Sequence, residues 1–153
     1  MAATSAGSVQ SALYSKGQMM QSKPVLTLAD VKIIAAAAEA EALANQWAVV
    51  ISIVDDGGHL LWLQRMDGAA PISSHIAPAK AKTAALGQRE SKVYEDMINN
   101  GRMSFLSAPM IEGMLEGGVP IVVDGHFLGA VGVSGVKSFE DAQIAKAGIA
   151  ALI

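Results

Sequence analysis

Two stretches rich in Val and Ile are each folded back on themselves by a turn too short to cross a sheet. Residues 47–54 lead through Asp55-Asp56-Gly57-Gly58 into residues 59–66. Residues 117–123 lead through Asp124-Gly125-His126 into residues 127–134. Clustered Asp and Gly supply the positive φ values of a hairpin, whereas a parallel pair needs a crossover of a dozen or more residues. Both strand pairs are therefore read as antiparallel, and a doubly wound parallel sheet is disfavoured. The apolar residues of 47–54 follow one another without alternation, which predicts a strand buried on both faces.

Helical signals surround these hairpins. Thr27 is placed to cap a helix with Asp30 at its N3 side, and an Ala/Ile/Leu run follows through Leu43. Its small-residue face, Val31, Ile34, Ala35, Ala38 and Ala42, would let it lie close on a sheet. A second helix is expected from Ser73 or Ser74 to Leu86, and a third over 91–99, closed by Asn100-Gly101. Residues 102–116 have short strand or turn character. Ser138 is expected to cap a terminal helix running to Ala151, with Asp141 at its third position. The order helix, hairpin, helices, hairpin, helix predicts an α+β fold in which helices cover a meandering sheet. Residues 25–153 then form one domain. Val9, Leu13 and Tyr14 in residues 1–24 allow an N-terminal arm or short helix.

Composition narrows the partners. Apolar residues make up 52% of the chain and charged ones 16%, a balance that predicts a homo-oligomer interface. A net charge of −3 without any Lys/Arg cluster argues against nucleic acid or an anionic membrane. The absence of cysteine excludes disulfides, thiolate metal sites and a Cys nucleophile. No signal-peptide pattern opens the chain and no apolar run reaches the roughly 18–20 residues that cross a bilayer, so a cytoplasmic, small-molecule partner is expected.

Six segments appear in a fixed order: Leu26-Thr27-Leu28-Ala29-Asp30, Val54-Asp55-Asp56-Gly57-Gly58-His59-Leu60, Arg65-Met66-Asp67-Gly68-Ala69, Lys80-Ala81-Lys82-Thr83-Ala84, Gly117-Gly118-Val119-Pro120 and Gly129-Ala130-Val131-Gly132-Val133-Ser134-Gly135. Together they closely resemble the GlcG/HbpS-like family, which includes the C-terminal domain of PduO-type proteins. The resemblance covers roughly residues 26–152. It implies a profilin-like α/β/α sandwich with a central antiparallel sheet, assembly from dimers to octamers, and an association with heme.

Each candidate residue carries a functional and a plainer reading. Arg65 and Asp67 flank Met66 at a strand end, where the guanidinium would grip a carboxylate or a structural ion pair would pin the loop. Lys80 and Thr83 share a helix face and would bind an anion, unless the lysine is simply solvated. His75, in the first turn of the same helix, would ligate iron, act as a general base, or make an ordinary polar contact. Gly117 and Gly118 would offer N–H groups to an oxyanion or would only allow close packing. Ser134 joins the ligand-binding set but lacks a nucleophile elbow. The three histidines form no recognisable metal site.

Two functions compete on these residues. One is a small-ligand-binding protein for heme or a similar planar carboxylated molecule, with Arg65, His75 and Lys80 in its pocket. The other is a cofactor-independent hydrolase or isomerase of a small planar carboxylate. There Arg65 would hold the carboxylate, and His75 or Asp67 would activate water or move a proton.

Overall fold

The structure, a computed structural model, describes residues 20–153, so the arm or helix expected over 1–24 lies largely outside the described residues. Helix α1 spans Leu28–Ala44. Its capping box closes as expected: Thr27 Oγ1 accepts from the Asp30 N–H at 3.2 Å and Asp30 Oδ2 accepts from the Thr27 N–H at 2.8 Å. The buried face is Val31, Ile34, Ala35, Ala38 and Ala42.

Strand β1, Val50–Asp55, starts later than the apolar run suggested. The helix exit uses the intervening residues, with Gln46 in the left-handed region and the Trp47 N–H bonded to the Ala42 carbonyl at 2.9 Å. Strand β2 is Leu60–Arg65, β3 is Gly118–Val123 and β4 is His126–Ser134. His126 therefore opens β4, and Asp124-Gly125 alone make the second turn, both with positive φ. The sheet order is β2-β1-β4-β3 with every neighbour antiparallel. Central β1 is buried from Val50 through Val54, while edge strand β2 is largely exposed.

Helix α2 is Ser73–Gly87, α3 is Ser91–Asn99 and α4 is Ser138–Ala150. Residues 103–107 form a 3₁₀ turn, Met103–Ser107, rather than a strand. Helices α1 and α4 cover one sheet face over Ile51, Ile53, Val131 and Val133. The other face carries α2, whose Ala77, Ala81, Ala84 and Ala85 meet Val50, Val54 and Ala130. Gly132 makes this approach attainable: a Cβ there would stand 2.1 Å from the Ala77 carbonyl oxygen. The α+β sandwich with a central antiparallel sheet is the observed fold.

The start of α4 departs from expectation. Ser138 is its first helical residue, and the cap position belongs to Lys137, whose N–H is accepted by Glu140 Oε1 at 3.1 Å. Asp141 lies one residue further on and turns into the interior.

Candidate ligand site

At the end of the sheet where β4 finishes and β3 begins, Lys80 is buried instead of solvated. Its Nζ donates to Asp141 Oδ2 at 3.0 Å and to the Val133 carbonyl at 2.9 Å. The Val136 N–H donates to the other carboxylate oxygen of Asp141 at 3.1 Å. Burial pushes the Asp141 carboxyl above its ordinary range, against the pull of the Lys80 ammonium and this N–H. Gly117 leaves room for the lysine, since a Cβ there would stand 2.7 Å from Nζ. The Gly118 N–H is bonded to Ser91 Oγ at 2.8 Å, and that hydroxyl donates to the Leu115 carbonyl at 2.5 Å. Thr83 Oγ1 accepts the Gly113 N–H at 3.1 Å. Lys80, Thr83 and Gly118 thus bind the chain itself: Lys80 ties α2 to β4 and α4, Thr83 ties α2 to the segment that feeds β3, and Gly118 ties β3 to α3.

The Arg65 loop lies at the same end of the sheet, since Arg65 and Ser134 both stand opposite Val50. Arg65 Nε and Nη2 donate to the Ala69 carbonyl at 3.1 and 2.9 Å, which closes the loop without Asp67. Ser134 Oγ meets Ser73 Oγ at 3.2 Å in the interior. Arg65 and Asp67 line a polar depression of about 330 Å³ with Glu39, Leu43, Gln64 and Met66. His75 is exposed on α2 and lies about 140° round the helix from buried Lys80. Among the described residues no hydrogen bond or ion pair joins Arg65, Asp67 and His75.

A groove that sequence reasoning did not anticipate opens at the opposite end of β1. It holds about 320 Å³ and is lined by Val54, Leu60, Pro78, Ala79 and Met110, with Lys82 and Glu112 as its charged groups. Small ligands are held in pockets of about 300–1,000 Å³, mostly apolar with a few polar groups. Gly58, in the β1–β2 turn, also lines it. The next residue, His59, holds its Nδ1 3.0 and 3.1 Å from the two oxygens of Asp55. Asp55 Oδ1 also accepts the N–H groups of Gly57 and His59, each at 2.9 Å. Burial raises the Asp55 carboxyl, but the N–H donors of His59 and Gly57 and the His59 ring outweigh it and hold it below the ordinary carboxylate range. The helix periodicity of Pro78, Ala79 and Lys82 and the closeness of Asp55 to His59 were visible in the sequence. That the 110–112 segment would close over them was not.

An antiparallel sheet sandwiched by helices, with an apolar groove at a hairpin tip, defines an α+β protein of α/β/α layering. Residues 26–150 match the family described as haem degrading protein HbpS-like, and the chain belongs to that family. It is 55% identical to the protein GlcG of Escherichia coli K12 over 115 residues, covering 75% of this chain and 85% of that one. The crystal structure of a PduOC:heme complex has a TM-score of 0.76 at 31% identity, covering 84% of this chain and 95% of that one. A double mutant of Streptomyces reticuli HbpS gives 0.76 at 31% identity, covering 88% and 90%. Among the described residues no helix is long and apolar enough to cross a membrane.

Proposed function

We propose that this chain binds heme, or a planar carboxylated molecule like it, in the groove between the β1–β2 turn, α2 and residues 110–112. The observation that carries this reading is the likeness to the PduOC:heme complex over nearly all of that chain. The donor set of the groove suits such a ligand. Val54, Leu60, Pro78 and Ala79 offer apolar contact and exclude water from a ring face, and Met110 adds a polarisable thioether. The Lys82 ammonium is the groove's partner for a propionate. Heme, when bound, supplies the redox and oxygen chemistry of its iron. Arg65, retaining guanidinium N–H groups beyond the two bonded to Ala69, is a second place where a carboxylate would be gripped.

Leu60, Leu61 and Leu63 stand 57%, 38% and 45% exposed on edge strand β2, which supports association of copies of the chain. Sedimentation velocity is expected to give a multiple of 15.8 kDa.

Titration of purified protein with hemin tests the function directly. A saturable Soret shift at about one heme per chain is expected, and nonsaturating adsorption would reject heme as the ligand.

A further inference from the structure

The two outer strands of the sheet present their free edges differently. Beside β3, the Val133 N–H bonds the Gly117 carbonyl at 3.0 Å. Antiparallel alternation then turns the backbone groups of Val119 and Ile121 toward β4 and those of Gly118 and Pro120 outward. The outward N–H of Gly118 is taken by Ser91 Oγ at 2.8 Å, and Pro120 has none to offer. From Gly118 to Ile121 this edge holds no free donor, and a register shift at Ile121/Val122 interrupts it beyond.

Edge strand β2 lacks these closures. The Met66 N–H bonds the Val49 carbonyl at 3.0 Å, so Trp62, Gln64 and Met66 turn their backbone groups toward β1 and those of Leu63 and Arg65 point outward. Among the described residues no hydrogen bond reaches the outward N–H and C=O groups of Leu63 and Arg65. A register shift opposite Ile53/Val54 sets Leu61 out of line, so the regular free edge runs from Trp62 to Met66. Residues 60–64 carry neither proline nor charge, the usual guards of an open edge, and Leu61 and Leu63 stand exposed on it.

We propose that β2 pairs antiparallel with β2 of a second copy of this chain about a two-fold axis beside Gln64, so that the two sheets run on as one. Leu63 of each copy then exchanges N–H···O bonds with Arg65 of the other, and the two Gln64 residues face each other as the close, non-hydrogen-bonded pair. Each Arg65 guanidinium stays on its own Ala69 carbonyl, which leaves the aliphatic stem to pack on Leu63 of the other copy. A strand set against itself in this way is satisfied by symmetry. Set against β3 of a second copy, β2 would find no donor at Gly118 or Pro120. Head-to-tail growth is thereby disfavoured, and the contact is a closed, isologous one. This rests on the association of copies read above from the exposed leucines and deepens it by naming the strand, the axis and the register; it is independent of the ligand.

The test joins sedimentation velocity to disulfide cross-linking, which is clean here because the chain has no cysteine. Wild type is expected to sediment at an even multiple of 15.8 kDa. Leu63→Lys, which sets a charge on the open edge, is expected to lose the dimer contact at concentrations where wild type keeps it. Gln64→Cys places two thiols across the axis and is expected to form a covalent dimer under mild oxidation, with Val122→Cys on β3 as the control that does not. Circular dichroism checks the fold of each variant, and if Leu63→Lys fails that check the cross-link decides alone. A folded Leu63→Lys that associates like wild type, or a Gln64→Cys that cross-links no faster than Val122→Cys, would overturn the edge pairing while leaving association intact. Wild type that sediments as a monomer throughout would reject both.

Discussion

Lys80 and Asp141 meet at 3.0 Å with side chains only 4% and 3% exposed, although they belong to helices on opposite faces of the sheet. The contact passes around the sheet end at Gly117 and ties the two helical layers together. Two charges removed from water lose much of their hydration, so such a pair specifies how the layers meet more than it stabilises them.

Breaking this pair one side at a time is expected to be severe. Lys80→Met leaves the carboxylate alone in the interior, at a cost of about 3–5 kcal/mol. The double variant Lys80→Met/Asp141→Leu is expected to recover most of that loss, and urea unfolding of the three proteins measures it. Asp141 is raised, so between its ordinary and its raised value the folded chain holds a proton that the unfolded chain has released. Its contribution to stability therefore falls as pH rises through that window, and Asp141→Asn should remove this slope.

The second expectation concerns Ser52, fully buried on β1 with an Oγ that finds no partner among the described residues. An unsatisfied buried hydroxyl is a net penalty. Ser52→Ala is expected to raise stability by about 1 kcal/mol in denaturant titration. A loss of similar size would show that the hydroxyl is satisfied in solution.

Arg65→Ala removes both bonds to the Ala69 carbonyl and loosens the 66–70 loop. A stability loss of about 1 kcal/mol is expected, with hemin affinity changed less than by Lys82→Glu. The reverse order of the two affinities would move the carboxylate contact to the Arg65 depression. In the groove reading, Lys82→Glu places a second acid beside Glu112 and is expected to weaken hemin binding at least tenfold.

The acid limb of the stability curve should report the α1 cap. The N–H and hydroxyl of Thr27 hold the Asp30 carboxyl below its ordinary value. The folded state thus favours the ionised form, so this contribution is present above the ordinary carboxylate range and is lost as pH falls through the lowered value. Asp30→Asn is expected to flatten that limb, as thermal melts across acidic pH would show.

What the sequence decided by itself were features whose physics is contained within a few residues. Thr27 and Asp30 announce their reciprocal cap, Asp124-Gly125 announce their turn, and the face Val31, Ile34, Ala35, Ala38 and Ala42 follows from helical spacing alone. The ordered motifs identified the family, and the short turns dictated antiparallel pairing. Lys80 was legible as a special lysine but not as a buried one, because its partner is 61 residues away on another helix. Asp55 and His59 are four residues apart in the sequence, and the turn brings Nδ1 of the ring to 3.0 Å from the carboxylate. The turn backbone that pins this carboxylate and the groove assembled from β1, α2 and residues 110–112 appear only in the folded chain. Those relations are fixed only when segments distant in the chain pack together, since burial and orientation depend on neighbours that local spacing does not identify.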